Sequence, residues 1–492
     1  MAKSTHLTLR ERIALGQAQR KHMRRADQAG WQPKLRRADP LHLLAESMRG
    51  RVPALVPIKV DRMAASPFGF FRGAVPVMAC DLSLGPNTGI LTQLCGDAHV
   101  RNLGAFAAPD GRLVFDINDF DETIRGPFEW DVKRLAVSLI LAGREAGAKN
   151  SLCCDATRAF LKSYRTSMHL FAQMPVLELA HYQVHRLHTV EPISQILGLA
   201  ERATPLHNLE ALTIEAPAGS KRGATSELKP RTGSHPRIFK TIDPILTRIH
   251  GDLARAVLDS LNPYAETLQP ERRHFLAQYT PLDVAFKIVG TGSVGLRDYC
   301  IYMQGNGAND PLFLQIKEEP LSAYAPYLGE APAESHQGRR VVEGQRAMQF
   351  QSDPFLGYTT IQGRDFLVRQ LNDHKAAVGM SELKSAGLLE YATVCGETLA
   401  RGHARSADPG SIAGYIGASA RFDSAIANFA AAYATQTECD WQSLLHSSRN
   451  NIPDAEPDIV LSLAAKAHKP IAKKSSVSTT TPKSQRSRKP RP

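Results

Sequence analysis

The stretch CGDAHVRN, residues 95–102, sets Asp97, His99, Arg101 and Asn102 within eight positions, directly after GILTQL. A carboxylate placed this way can take a proton from a hydroxyl, and an amide oxygen beside further carboxylates can hold a hard cation. Those further carboxylates follow in FDINDFDE, as Asp119 and Asp121. Between them LGAFAAPDGRLVFDI (103–117) reads as strand, Pro-Asp-Gly turn and strand. A hairpin brings the chain back to its origin, so Asp119 is expected beside Asp97 and Asn102. The expectation is an oxygen-only Mg²⁺ site made by Asn102, Asp119 and Asp121, with Asp97 left as the base and His99 on the same turn. Asp and Asn are also ordinary turn formers, and D-x-x-x-x-N alone has little specificity. The ordered series is more telling. It ends in GPFEWDVKRL, where Asp131 opens a helix and either caps its first turn or braces the backbone of the 95–102 turn.

Phosphoryl transfer also needs a cover for the nucleotide phosphates and a cation on them. VGTGSVG has Gly290, Gly292 and Gly295 in GxGxxG spacing, with Ser293 between the last two. The same spacing marks dinucleotide-binding folds, but those require a helix after the glycines. Here LRDYCIYMQG reads as a strand, and the next strand, LFLQIKEE, delivers Lys317. A helix expected at 340–351 offers Glu343 as that lysine's ion-pair partner. Taken singly, Lys317 and Glu343 also read as a solvated strand end and a solvated helix face.

The elements that must position these residues give an α+β class with more helix than strand and small antiparallel pieces. WDVKRLAVSLILAGREAG (130–147) puts Val132, Leu135, Ala136, Leu139 and Ile140 on one helical stripe. DFLVRQL (365–371) reads as a strand, and 380–465 mostly as helix. The divisions expected are a basic helical arm (1–50), the catalytic-turn half of a large lobe (51–200), a connecting segment with a flexible loop at 215–237 (201–280), a glycine-loop and lysine lobe (281–375), a helical return to the large lobe (376–465) and a disordered basic tail (466–492). In ordinary kinases the glycine loop precedes the catalytic loop, whereas here it follows by nearly two hundred residues. YATVCGETLARGHARS (391–406) is similar to the helix that normally leads into the catalytic loop, so the expectation is a kinase-like two-lobe fold, circularly permuted.

The net charge of +12 is uneven: residues 1–51 carry +8, residues 466–492 carry +9, and the body between them −5. Specific nucleic-acid binding is therefore not expected, though the basic ends suit acidic partners. Seven scattered cysteines without CxxC spacing argue against a disulfide framework or zinc site and fit a cytoplasmic protein. No run of about 18 apolar residues suits a membrane span.

Three blocks, RMAASPFGFFRG, CGDAHVRNLGAF…VFDINDFDETIRGPFEWDVKRLAVSL and VGTGSVGLRDYCIY…DPLFLQIKEE…RRVVEGQRAMQFQSDPFLGY, resemble the domain-of-unknown-function 2252 family over roughly 50–440. More distantly, GDAHVRN…INDFDE…GPFEWD resembles the aminoglycoside/choline-kinase branch of kinase-like enzymes. That likeness implies Asp97 as base, Asn102 and Asp119 as magnesium ligands, and His99 as a loop or phosphate-side residue. Cys95 departs from the usual first His, and Asp121 replaces the glycine of Asp-Phe-Gly, adding an acid. The segment after Asp119 leaves little room for an activation loop, which favours a small-molecule acceptor. What is implied is an ATP- and Mg²⁺-dependent phosphotransferase; AMP transfer and a nucleotide-binding pseudokinase or scaffold stay open beside it.

Overall fold

The helix Phe128–Glu145 forms where the stripe predicts it, yet Phe128 through Gly143 are buried on every side. The expectation of one apolar face is thus too narrow. This helix is the axis of the larger half, and its charged residues Glu129, Asp131, Lys133 and Arg134 are buried with it. A computed structural model of the chain, describing residues 7–184, 190–216, 237–329, 336–371, 375–380 and 383–447, shows the helices Asn150–Gln173, Ser385–Ser406 and Arg421–His446 assembled with it. Phe128, Leu135, Tyr164, Leu399 and Phe422 belong to the single apolar cluster that joins them. Burial at about 25 cal/mol per Å² of apolar surface is what holds such helices together, since isolated helices are marginal in water. The expected 215–237 loop falls almost wholly outside the described residues, and the expected 466–492 tail lies outside them.

The other half is built on a six-stranded antiparallel sheet. Its strands run across it in the order Gly357–Ile361, Arg364–Gln370, Pro311–Glu318, Asp298–Gln304, Thr280–Lys287 and Leu246–Arg248. Val284, Ile301, Leu314, Ile316 and Val368 form its core with Val52 and Tyr264. Register sets Lys317 between Asp298 on one neighbouring strand and Leu367 on the other. The helix Gln337–Met348 lies against the strands Gly357–Ile361 and Arg364–Gln370, and its Val341, Val342 and Met348 join the apolar cluster of the larger half. The fold is therefore α+β with antiparallel sheets. Next to the 95–102 turn, the hairpin Leu103–Ala107 and Leu113–Ile117 forms as expected, and Ala376–Ala377 adds a third strand to it.

The basic N-terminal segment is docked rather than free. Its helix Leu9–Ala18 lies against the helix Pro409–Ile416. Arg20 and Arg25 donate to the last carbonyls of that helix, Tyr415 at 3.0 Å and Ile416 at 2.9 Å, where the helix dipole favours cations. Arg12 pairs with Asp408 at 2.8 Å, and Arg36 bridges Asp81 and Asp440 at 2.5 and 2.7 Å. Much of the positive charge that composition assigns to this end is thus spent inside the fold. Among the described residues no helix is long and apolar enough to cross a membrane, and the cysteines are all free.

Candidate active site

The 95–102 turn is fixed from beneath by the Phe128–Glu145 helix. Asp131 accepts from the backbone N–H groups of Cys95 (2.8 Å) and Gly96 (3.0 Å), so of the two roles open to it, bracing the turn is the one it performs. Its other buried neighbour is His403, whose Nε2 lies 3.3 Å away, while the Tyr164 hydroxyl is 2.8 Å from Nδ1. With Nε2 as the donor to Asp131, Nδ1 can accept from the Tyr164 hydroxyl. Gly96 has φ +86°, and a side chain there would run into the Glu122 carbonyl, which explains the glycine between Cys95 and Asp97. Further along, Val100 N–H donates to Ser138 Oγ (3.2 Å) and the Tyr391 hydroxyl donates to Val100 O (2.6 Å).

Asp97 itself meets Arg134, a fully buried guanidinium from the same helix. Its Oδ1 accepts from Arg134 Nε at 2.8 Å and Nη2 at 2.7 Å. Its Oδ2 lies 3.6 Å from His99 Nε2, too far for a hydrogen bond, so that oxygen can still accept a proton. Burial lifts the Asp97 carboxyl above the ordinary range, and Arg134 only partly opposes it. His99 is buried, caps the short Val100–Asn102 turn by accepting from Arg101 N–H at 3.2 Å, and has its basicity pushed well down by burial and by Arg72 and Arg134. A neutral, packed ring orders the turn; it does not carry a phosphate-binding charge.

Asn102 donates through Nδ2 to the Asp97 carbonyl at 2.9 Å, which leaves its amide oxygen as the remaining donor atom for a ligand. Asp119 and Asp121 follow the hairpin and meet Lys317: Asp121 Oδ2 is ion-paired with its Nζ, and Asp119 Oδ1 is 3.9 Å from it. Burial pulls the lysine down, but the two carboxylates outweigh it and raise its pKa. Burial likewise works against the Asp119 carboxylate, yet Lys317 and Arg369 prevail and hold it below the usual range. Asp121 is pushed up by burial and by Asp119. The two carboxylates thus share the single ammonium of Lys317.

The glycine segment spans the turn between the strands Thr280–Lys287 and Asp298–Gln304. Gly290, Gly292 and Ser293 line a cleft of about 420 Å³ together with Asp97, Asn102 and Asp119. Gly295 does not line it. At φ +91° it packs against the Arg51 side chain, and its carbonyl accepts from Val52 N–H at 2.7 Å. The loop is held by cations from the Val56–Ala64 helix and the chain before it. Lys59, 1 % exposed, donates to Thr291 O (3.2 Å) and Gly292 O (2.6 Å), Arg62 donates to Gly290 O (2.8 Å), and Arg51 to Val294 O (2.7 Å).

Glu343 is a correction. It is exposed on the outer side of the Gln337–Met348 helix and pairs with Arg339 at 2.7 Å, because Val341, Val342, Gln345 and Met348 take the buried face. Lys317 finds its countercharges in Asp119 and Asp121 instead, with Glu319 nearby at the end of its own strand. Sequence reading also missed Arg134, Lys59 and Glu319. Arg134 carried a signal, being a cation one turn after Asp131 and directly before the apolar run LAVSLILAG.

Whether these residues suit Mg²⁺ is decided by their unpaired oxygens. Asp119 Oδ1, Asp121 Oδ1 and both oxygens of Glu319 are buried without a hydrogen-bond partner. Among the described residues no three His, Cys, Asp or Glu side chains stand close enough to form a ready-made metal cage. Two carboxylates and an amide oxygen with room for water and phosphate oxygens are what Mg²⁺ takes, since it keeps part of its hydration and rarely sits in an all-protein cage. The donor set fits.

No curated protein and no solved structure matches this chain. Residues 51–447 match the family model described as an uncharacterised protein conserved in bacteria, DUF2252, and the chain belongs to that family.

Proposed function

We propose that this protein is an ATP- and Mg²⁺-dependent phosphotransferase with a circularly permuted, kinase-like two-lobe fold, acting on the hydroxyl of a small molecule. The observation that carries the reading is the ion pairing of Lys317 with Asp121, 196 residues apart, at a cleft whose walls include both the glycine loop and the Asp97 turn. Permutation is supported by the Ser385–Ser406 helix, which reaches the turn through Tyr391 and the turn's brace Asp131 through His403, although Tyr391 lies 291 residues after Val100.

In this reading the loop at 290–293 covers the phosphates, and Lys317 leaves the carboxylates to hold phosphate oxygens. Asn102 and Asp119 hold the metal, with Asp121 beside them; when bound, Mg²⁺ offsets the negative charge of the phosphates. Asp97 Oδ2 orients the acceptor hydroxyl and takes its proton. Because burial raises that carboxyl, turnover is expected to fall as pH drops through a value above the ordinary carboxylate range.

Titration calorimetry of ATP with and without Mg²⁺ tests the reading. Wild type should bind in a Mg²⁺-dependent way, and Asp119→Ala and Lys317→Ala should each weaken binding by about tenfold or more. Unchanged affinity in both variants would contradict it. A second reading, nucleotide binding without turnover, draws on the Arg134–Asp97 ion pair, which occupies one oxygen of the base. Under it, ATP binds tightly and no acceptor in a metabolite extract becomes labelled. AMP transfer would use the same cleft with the nucleotide reversed, and it is told apart by AMP rather than phosphate on the product.

A further inference from the structure

Arg72 stands in this cleft without an assigned task. It lies in PFGFFRG, near the end of the helix Pro67–Gly73. Of the four cations that line the cleft among the described residues, three are engaged: Arg49 with Glu46 (2.7 Å), Arg51 with Ser47 O and Val294 O, and Lys59 with the loop carbonyls. Among the described residues Arg72 makes no ion pair, and its Nε is buried with no hydrogen-bond partner. Its backbone faces the tip of the glycine loop, where the Arg72 carbonyl sits 3.8 Å from the place a Gly292 side chain would begin. Its guanidinium feels Arg101, Asp97, Asp119 and Glu145. It lines the same cleft as Gly292, Asp97 and Asp119.

The anchoring of this helix ties it to the base. Arg134, which holds Asp97 Oδ1, also donates to the Phe71 carbonyl at 3.0 Å and lies 4.2 Å over the Phe71 ring. One buried side chain thus sets the distance between Asp97 and Arg72. An N–H removed from water and left unsatisfied, as at Arg72 Nε, is costly, and a phosphoryl group satisfies a guanidinium through paired charge-assisted hydrogen bonds.

We propose that Arg72 is a catalytic residue that binds the terminal phosphoryl group of the nucleotide and stabilises its charge during transfer, an arginine supplied from within the same chain. This rests on reading the cleft as a Mg²⁺–ATP site. In the step, the acceptor oxygen forms a bond to the γ-phosphorus, the bond from that phosphorus to the β,γ-bridging oxygen breaks, the hydroxyl proton passes to Asp97, and ADP leaves. Arg72 makes and breaks no covalent bond.

The test compares AMP-PNP with ADP, each with Mg²⁺, by calorimetry on the full chain. Wild type should bind both. Arg72→Gln should weaken AMP-PNP by about tenfold or more while leaving ADP within about twofold, and Arg72→Lys should recover part of the loss. Because Arg72 has no partner to strand, Arg72→Gln should melt no lower than wild type; Arg72→Met provides a second neutral variant. Equal losses for the two nucleotides, or none for AMP-PNP, overturn the assignment while the nucleotide site stands. If wild type binds neither nucleotide, the site reading fails and takes this inference with it.

Discussion

The 95–102 turn and the glycine loop meet in one cleft but are held in opposite ways. The turn is braced by short, fully buried polar groups from its own half: Asp131 on two backbone N–H groups, Ser138 on a third, and Asn102 on the Asp97 carbonyl. The loop is held through its carbonyls by long cationic side chains reaching across from residues 51–62. Carboxylates bound to backbone N–H groups in a low-dielectric interior fix geometry tightly. Flexible cations on carbonyls hold a loop while leaving it able to move. A rigid turn facing an adjustable loop suits the proposed reading, in which the cleft admits a nucleotide and then closes on it.

The sharpest way to break this contrast is Asp131→Ala, which strands two buried N–H groups and leaves His403 without its acceptor. We expect a loss of about 3–5 kcal/mol in urea denaturation, and less for Asp131→Asn, which keeps one acceptor oxygen. Lys59→Met should cost less, about 1–3 kcal/mol, and show itself locally. Amide exchange should quicken at 290–295 and stay unchanged at 95–102; matching changes in both segments would remove the distinction between them.

Asp298 sharpens the comparison through pH. Burial pushes its carboxyl up to about 7, only partly countered by Lys317, Gln315, Lys287 and Arg369. A folded-state value above the unfolded one, near 4, means that the folded protein holds the extra proton between about pH 4 and 7. Stability from this group is therefore lost as pH rises through that window. Asp298→Asn should stabilise the protein more at pH 8 than at pH 5, and a gap that is flat or reversed with pH would show that Asp298 is not the group involved. Glu343→Gln is the smallest expected effect. It should leave both nucleotide affinity and the denaturation midpoint within measurement error, because its partner Arg339 is equally solvent-facing.

These differences also show where sequence is readable. The turn, the hairpin and Asp131 lie within forty residues, so their spacing nearly dictates their meeting. Lys317 followed from its place on a strand after a glycine turn. Glu343 did not, although the apolar phase of Val341, Val342 and Met348 already turns position 343 outward. Lys59 and Arg72 look like ordinary surface cations in VPIKVDRMAASPFGFFRG, since long basic side chains usually keep their heads in water. Only partners more than two hundred positions away, such as Thr291 and Gly292, reveal that Lys59 is buried. The docking of residues 7–50 was hidden for the same reason: its arginines are satisfied by carbonyls near residue 415.

The most direct measurement is a crystal structure of the chain with AMP-PNP and Mn²⁺, read by anomalous scattering. The account predicts a metal peak between Asn102 and Asp119, the phosphates beneath Gly290–Ser293, and Lys317 moved from Asp121 onto phosphate oxygens. Nucleotide bound elsewhere on the surface, with Lys317 still on Asp121 and no metal at Asp119, would contradict it.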